Sequence, residues 1–150
     1  MNRSYEVLKS IGLLAWVNED KLEWLLERSL SYRYEADELI MDATSPTDGL
    51  YVIVSGQVRF TRAESQVSHL EVGNYFGELS LISKELRGSI VESISPSELL
   101  YISRKHFNGF AEEFPDPYAI IMTNLARELA RMIRQLNAIT ALQQTASSER

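Results

Sequence analysis

Between residues 31 and 104 apolar and polar side chains alternate with a period of two, and on either side they recur at the three-to-four spacing of helices. The period-two runs predict strands at 32–34, 38–41, 50–54, 57–62, 66–72, 89–94 and 99–102. Turn-forming sequences separate them: Ser45-Pro46-Thr47-Asp48-Gly49, Ser55-Gly56, Ala63-Glu64-Ser65, Gly73-Asn74 and Ser95-Pro96-Ser97. Many short strands with no helices between them point to an antiparallel barrel or jelly roll rather than a parallel sheet. Ahead of them, helices are expected within 5–28, interrupted by Gly12. Asn18 is placed to cap the second helix, Glu19 and Asp20 suit its positive end, and Leu22, Leu25 and Leu26 form its apolar stripe. Trp16 and Trp24 read as core anchors.

After the strands, 104–114 predicts a helix with Phe107, Phe110 and Ala111 on one side. The sequence Phe114-Pro115-Asp116-Pro117 ends it, with Asp116 expected as the next N-cap and Pro117 as the first helical residue. A long helix is expected over 117–142. Its apolar residues Tyr118, Met122, Leu125, Leu129, Met132, Leu136 and Ile139 alternate steps of four and three, a heptad seam. Ile121, Ala126 and Ile133 flank it. A seam this narrow predicts a helix that touches both its own barrel and a partner helix, with Met122, Leu125, Leu129, Met132, Leu136 and Ile139 at a homodimer contact. The plainer alternative is packing on its own domain alone. Arg127, Arg131 and Arg134 read as a solvated flank. The expected organisation is one domain over 1–143 and a disordered tail over 144–150.

Composition narrows the function classes. The chain has 150 residues, 45% hydrophobic and 24% charged, as an ordinary globular domain does. It has no cysteine, which removes disulfides, thiolate catalysis and cysteine-ligated metals. Without a signal-peptide pattern or a membrane-length apolar run, a cytoplasmic location and no membrane contact are expected. A net charge of −6 argues against binding nucleic acid through the overall field. His69 and His106 are too few and too far apart in sequence for a metal-dependent barrel enzyme. No Ser-His-Asp or paired-carboxylate arrangement is evident, so neither catalytic nor metal-binding residues are expected.

The chemistry concentrates between Gly73 and Val91. There a glycine turn, the carboxylate of Glu78, a short apolar helical turn and the guanidinium of Arg87 follow one another, with Gly88 and Ser89 beside the arginine. A carboxylate accepts hydrogen bonds from a diol, and a guanidinium grips phosphate through forked donors. Small residues let backbone N–H groups approach an anion. Together these describe a site for a nucleotide.

The stretch resembles the phosphate-binding cassette of the cyclic-nucleotide-binding domain family, through Phe76-Gly77-Glu78-Leu79 and an arginine nine residues after the glutamate. Leu50-Tyr51-Val52-Ile53-Val54-Ser55-Gly56-Gln57-Val58 and Ser97-Glu98-Leu99-Leu100-Tyr101-Ile102 also resemble its strands, and the likeness runs from about Leu8 to Leu136. The resemblance implies a mainly β fold: an antiparallel jelly roll, or double-stranded β-helix, with N-terminal helices and a long C-terminal helix. It implies that Glu78 binds the ribose 2′-hydroxyl and Arg87 the cyclic phosphate, with Gly77, Leu79, Gly88 and Ser89 completing the site. Met132 or Ile133 is the expected cap over the base. Members selective for cGMP tend to carry threonine three residues after the arginine, where this chain has Ile90, so cAMP is expected ahead of cGMP.

The family's usual glycines are replaced by Asp37 and Thr44, so those turns are expected to be shaped differently, and Leu86 stands where proline commonly precedes the arginine. The chain ends soon after the long helix, so a stand-alone sensor without direct DNA binding, signalling to a separate effector, is expected. The competing expectation is an interaction module on the same fold that does not respond to nucleotide.

Overall fold

The computed structural model describes residues 3–62, 66–83 and 89–148. Helix α1 (Arg3–Ser10), a 3-10 turn (Gly12–Leu14) and α2 (Glu19–Glu27) lead into eight strands. These are β1 (Leu30–Tyr34), β2 (Leu39–Met41), β3 (Gly49–Ser55), β4 (Gln57–Arg62), β5 (Gln66–Glu71), β6 (Tyr75–Phe76), β7 (Ile90–Ser93) and β8 (Ser97–Ser103). A second 3-10 turn (Glu78–Leu81) lies between β6 and β7. Helices α3 (Arg104–Glu113) and α4 (Pro115–Ser148) complete the chain.

The strands form two four-stranded antiparallel sheets, ordered β1-β8-β3-β6 and β2-β7-β4-β5. This is the jelly roll expected from the sequence. Strand alternation divides the apolar residues of β3 and β8 between two cores. Leu50, Val52, Val54, Leu100 and Ile102 face the helices and pack with Leu8, Leu13, Leu14, Leu25, Phe107, Phe110, Ile121 and Leu125. Ile53 and Leu99 point the other way, into a smaller core between the sheets with Met41, Val58, Phe76 and Val91. A sheet buried on both faces explains why 50–54 reads as an almost unbroken apolar run.

Several local expectations change. Trp16 is not a core anchor: it is 83% exposed. Leu13, Leu14 and Val17 take the buried places around it, and Trp16 has a left-handed φ of 70° that turns it outward. Trp24 does anchor the helical layer, edge-on to Phe110 and Phe114 with the Arg28 guanidinium over its ring. Asp37 keeps the left-handed turn that glycine would make, at φ 61°, so this turn is not reshaped. Aspartate is among the side-chain-bearing residues that tolerate this region best. Around Thr44 the turn is organised by a side chain instead, since Asp42 Oδ1 accepts from Thr44 N, Thr44 Oγ1 and Ser45 Oγ.

Helix α4 begins at Pro115, so Asp116 lies in its first turn and is not the N-cap. Proline fits the first position because its missing N–H would have no helical partner there. The helix also runs past 142 to Ser148, through residues expected to be a tail. Ala141, Leu142, Gln143 and Gln144 are good helix formers, and Thr145 Oγ1 bonds back to the Ala141 carbonyl at 3.0 Å.

Candidate ligand site

The turn after β6 is fixed by small residues. Gly77 has φ 87°, and a Cβ there would lie 2.3 Å from the Gly49 carbonyl oxygen. Only glycine meets both demands. A Cβ on Gly49 would in turn lie 2.5 Å from the Ile102 carbonyl oxygen. The fully buried Ser80 donates its hydroxyl to Gly77 O at 2.6 Å, and its Oγ also reaches Gly49 O at 3.3 Å. Close packing of backbone on backbone therefore sets the direction in which the next residue, Glu78, leaves the turn.

Glu78 is buried, with 8% of its surface exposed. A carboxylate withdrawn from water is costly unless polar or charged groups compensate it, so its placement marks a polar site. Leu79, half-buried, closes the turn by accepting from Ile82 N and Ser83 N. Ser89 is half-buried just before β7. Arg87 and Gly88, the expected phosphate-binding pair, and Leu86 before them lie outside the described residues. The structure thus gathers Gly77, Glu78 and Leu79 on one turn.

Below that turn the inter-sheet core is aromatic. Phe76 stacks on Tyr51 with ring centroids 4.9 Å apart and meets Phe60 at 5.6 Å, and Tyr51 contacts Tyr101 at 4.7 Å. Burial, with a smaller effect of neighbouring tyrosines, pushes the Tyr51 phenol up to about 12. These rings give the turn a rigid base.

A connection to α4 carries no local signal in the sequence. Tyr75, immediately before Phe76, donates its phenol to Glu128 Oε2 at 2.6 Å. Burial raises the Tyr75 phenol pKa most, followed by the hydrogen bond to Glu128 and the charges of Glu128 and Glu78, while Arg131 opposes them. The carboxylates of the turn and the helix thus act on one phenol. An acidic residue among three arginines looks like charge balancing in sequence, and no spacing rule links it to a tyrosine so far up the chain.

Of the expected seam residues, Leu125 is buried in its own core, and Met122 and Leu129 pack against that core. The assignment of Leu125 to an intermolecular contact is therefore corrected, because its own core covers it, while Met122 and Leu129 are half-buried. Leu136 and Ile139 are 59% and 52% exposed. Of the two expected cap residues, Met132 is half-buried and Ile133 is 57% exposed. His69 lies on β5, and His106 Nδ1 is 2.9 Å from Ser103 Oγ at the start of α3. Among the described residues no group of three or more histidines and carboxylates is placed to hold a metal ion, and no helix is long and apolar enough to cross a membrane.

Fold and site together define a jelly-roll domain with a polar site on a glycine-shaped turn, tied to a long helix. Residues 32–114, more than half of the 150, match the model of the cyclic nucleotide-binding domain. The chain belongs to the cyclic nucleotide-binding domain family. It is 27% identical over 130 residues to the cAMP-activated global transcriptional regulator CRP of Pasteurella multocida, covering 83% of this chain and 62% of that protein. It is 26% identical over 111 residues to a cAMP-dependent protein kinase regulatory subunit of Dictyostelium discoideum, covering 69% of this chain and 34% of the subunit.

Among solved structures, the catabolite activator protein of Thermus thermophilus superposes with a TM-score of 0.74 at 24% identity, covering 89% of this chain and 63% of that one. The N-terminal domain of a transcriptional regulator from Streptomyces coelicolor gives 0.74 at 19% identity, covering 87% and 94%. At these identities the structures speak for the fold alone.

Proposed function

We propose that this domain binds a cyclic nucleotide, cAMP ahead of cGMP, and passes its occupancy to α4 and through it to a dimer or a separate effector. The carrying observation is Glu78: a buried carboxylate on a turn of fixed backbone, three residues beyond Tyr75, the strand residue hydrogen-bonded to α4. In this reading Glu78 accepts the ribose hydroxyl, and Arg87 with the N–H groups near Gly88 and Ser89 takes the phosphate. Met132 or Ile133 closes over the base. Binding is the chemistry offered, not bond-making. The cAMP named for the bacterial activator and the kinase regulatory subunit supports the choice of ligand.

Signalling would be a population shift. A ligand held by turn and helix together favours the arrangement in which they are close, by no more than its difference in affinity for the two states. Calorimetry of folded, nucleotide-free protein with cAMP and cGMP tests the reading. Heat of binding with cAMP is expected, and its absence at high micromolar concentration would sink the sensor. Glu78→Ala and Arg87→Ala should each weaken binding by about tenfold to a few hundredfold, the worth of a charge-assisted hydrogen bond.

The alternative, an interaction module unresponsive to nucleotide, draws on the exposed apolar residues of distal α4, which need no nucleotide to engage a partner. Unchanged helix association with and without cAMP would favour it.

A further inference from the structure

Trp16 occupies a position where neither packing nor backbone geometry calls for tryptophan. It is 83% exposed, and its φ of 70° is one that glycine adopts freely and a large side chain does not. The turn carrying it is firmly held. Leu13, Leu14 and Val17 are buried around it, Ala15 N and Val17 N close turn hydrogen bonds to Gly12 O and Leu14 O, and Asn124 Nδ2 donates to both Leu13 O at 3.0 Å and Ala15 O at 2.8 Å. The indole is thus displayed on a rigid support fastened to α4. Exposed aromatics on rigid supports are the anchors around which binding surfaces are built.

Beside it lies an open groove of about 290 Å³, lined by Trp16, Ala119, Ile120, Thr123, Asn124 and Arg127. From Ile120 the same side of α4 continues at helical steps through Thr123 and Arg127 to Arg131 and Arg134. All three arginines are exposed, and none forms an ion pair among the described residues. The surface therefore has an aromatic and aliphatic head and a positively charged track, roughly 21 Å long at 1.5 Å per residue.

We propose that this surface docks an acidic amphipathic helix of a partner protein, which seats an apolar side chain against Trp16 and Ile120 and sets carboxylates along Arg127, Arg131 and Arg134. Charge complementarity selects an acidic occupant, and the three-to-four spacing of the track matches carboxylates on one side of a facing helix. A nucleic-acid strand suits it less well. Its phosphates would run the whole length of the surface, onto the apolar head of Trp16 and Ile120 and past the exposed Glu19 and Asp20 close to Trp16 in the chain.

The test uses the full chain and a fluorescein-labelled synthetic helix of about 18 residues, with leucines at helical spacing and glutamates beside them. Anisotropy should show this peptide binding at least about tenfold more tightly than the same peptide with lysine for glutamate. Trp16→Gly and the double variant Arg127→Glu, Arg134→Glu should each weaken it by about tenfold or more, with circular dichroism unchanged. Glycine suits the backbone at 16, and both arginines are exposed, so neither variant threatens folding. Equal binding of the lysine peptide, unchanged binding to Trp16→Gly, or equally effective competition by single-stranded DNA would overturn the proposal. So would a dimer in sedimentation that Trp16→Gly converts to monomer, because a second copy would then cover the surface.

Discussion

The phenol of Tyr75 and the carboxylate of Glu128 meet at 2.6 Å, joining the strand that enters the Glu78 turn to the middle of α4. Position gives this bond its importance. N-terminal to Glu128, α4 is held by the buried Ile121 and Leu125 and by Asn124, which bonds the 13–15 backbone. C-terminal to it, Ile133, Leu136, Ile139 and Leu142 are all more than half exposed. Tyr75 therefore grips the helix near the boundary between its docked and free halves. Displacement of the turn would be felt by α4 at that boundary.

Tyr75→Phe should cost about 1–2 kcal/mol, since a hydrogen bond to a charged group contributes about 1.5–3 kcal/mol and this pair is only partly buried. Glu128→Gln should cost less, because an amide oxygen still accepts. Urea denaturation of both single variants and the double variant gives the coupling energy, expected at about 1 kcal/mol. Amide exchange should quicken in α4 beyond 128 and stay unchanged around Leu125. A coupling energy near zero would mean that the bond does not hold the helix.

Gly77→Ala combines two penalties, a φ of 87° and a Cβ 2.3 Å from the Gly49 carbonyl oxygen. Backbone cannot yield as a flexible side chain can, so the loss should be at least about 2 kcal/mol. Any nucleotide affinity should fall with it, because the turn aims Glu78. Thermal unfolding of Gly77→Ala beside Gly12→Ala supplies the control, since a Cβ at Gly12 meets nothing within 4 Å. Similar losses in the two variants would refute the steric account.

The jelly roll was legible because alternation with a period of two survives wherever one strand face is buried. Even β3, buried on both faces, betrayed itself by length and flanking turns. The two-residue β6 was missed, as a strand that short carries no period. The glycine turn that carries Glu78 was legible because Phe76-Gly77-Glu78-Leu79 is contiguous in sequence. Tyr75–Glu128 was not, because it joins residues 53 apart and depends on how α4 crosses the sheet. Trp16 was misread for a related reason. Hydrophobicity suggests burial, but only the backbone shows that its neighbours fill the core and turn it outward. The heptad positions differ in burial: Leu125 is buried in its own domain, Met122 and Leu129 are half-buried, and Leu136 and Ile139 are exposed.

Alkaline pH should expose the buried phenols. Tyr75 is raised chiefly by burial and then by Glu128, Tyr51 is raised to about 12, and Tyr34 and Tyr101 are raised by burial. A phenol whose folded pKa exceeds its unfolded value contributes stability that is whole below about pH 10 and lost as pH climbs above it. Urea midpoints should therefore decline between about pH 10 and 12, less steeply in Tyr75→Phe than in the native sequence. Phenolate absorbance should lag behind that of the urea-unfolded chain over the same range. Coincident folded and unfolded titrations would show that these phenols are not sequestered.

The free half of α4 makes a prediction about assembly. Leu136 and Ile139 expose a row of large apolar side chains at helical spacing, Ile133 and Leu142 flank it, and none of the four belongs to a core of their own domain. Such a row on a long helix is stabilised by a matching helix, and a second copy supplies an identical one. Sedimentation should show a dimer at micromolar concentration, and the double variant Leu136→Glu, Ile139→Glu should be monomeric. Its thermal midpoint extrapolated to low protein concentration should match that of the unaltered chain, because neither side chain packs in the domain. If the unaltered chain is monomeric at about 100 μM, the row does not pair with itself more strongly than about 5 kcal/mol, and the predicted micromolar dimer is refuted.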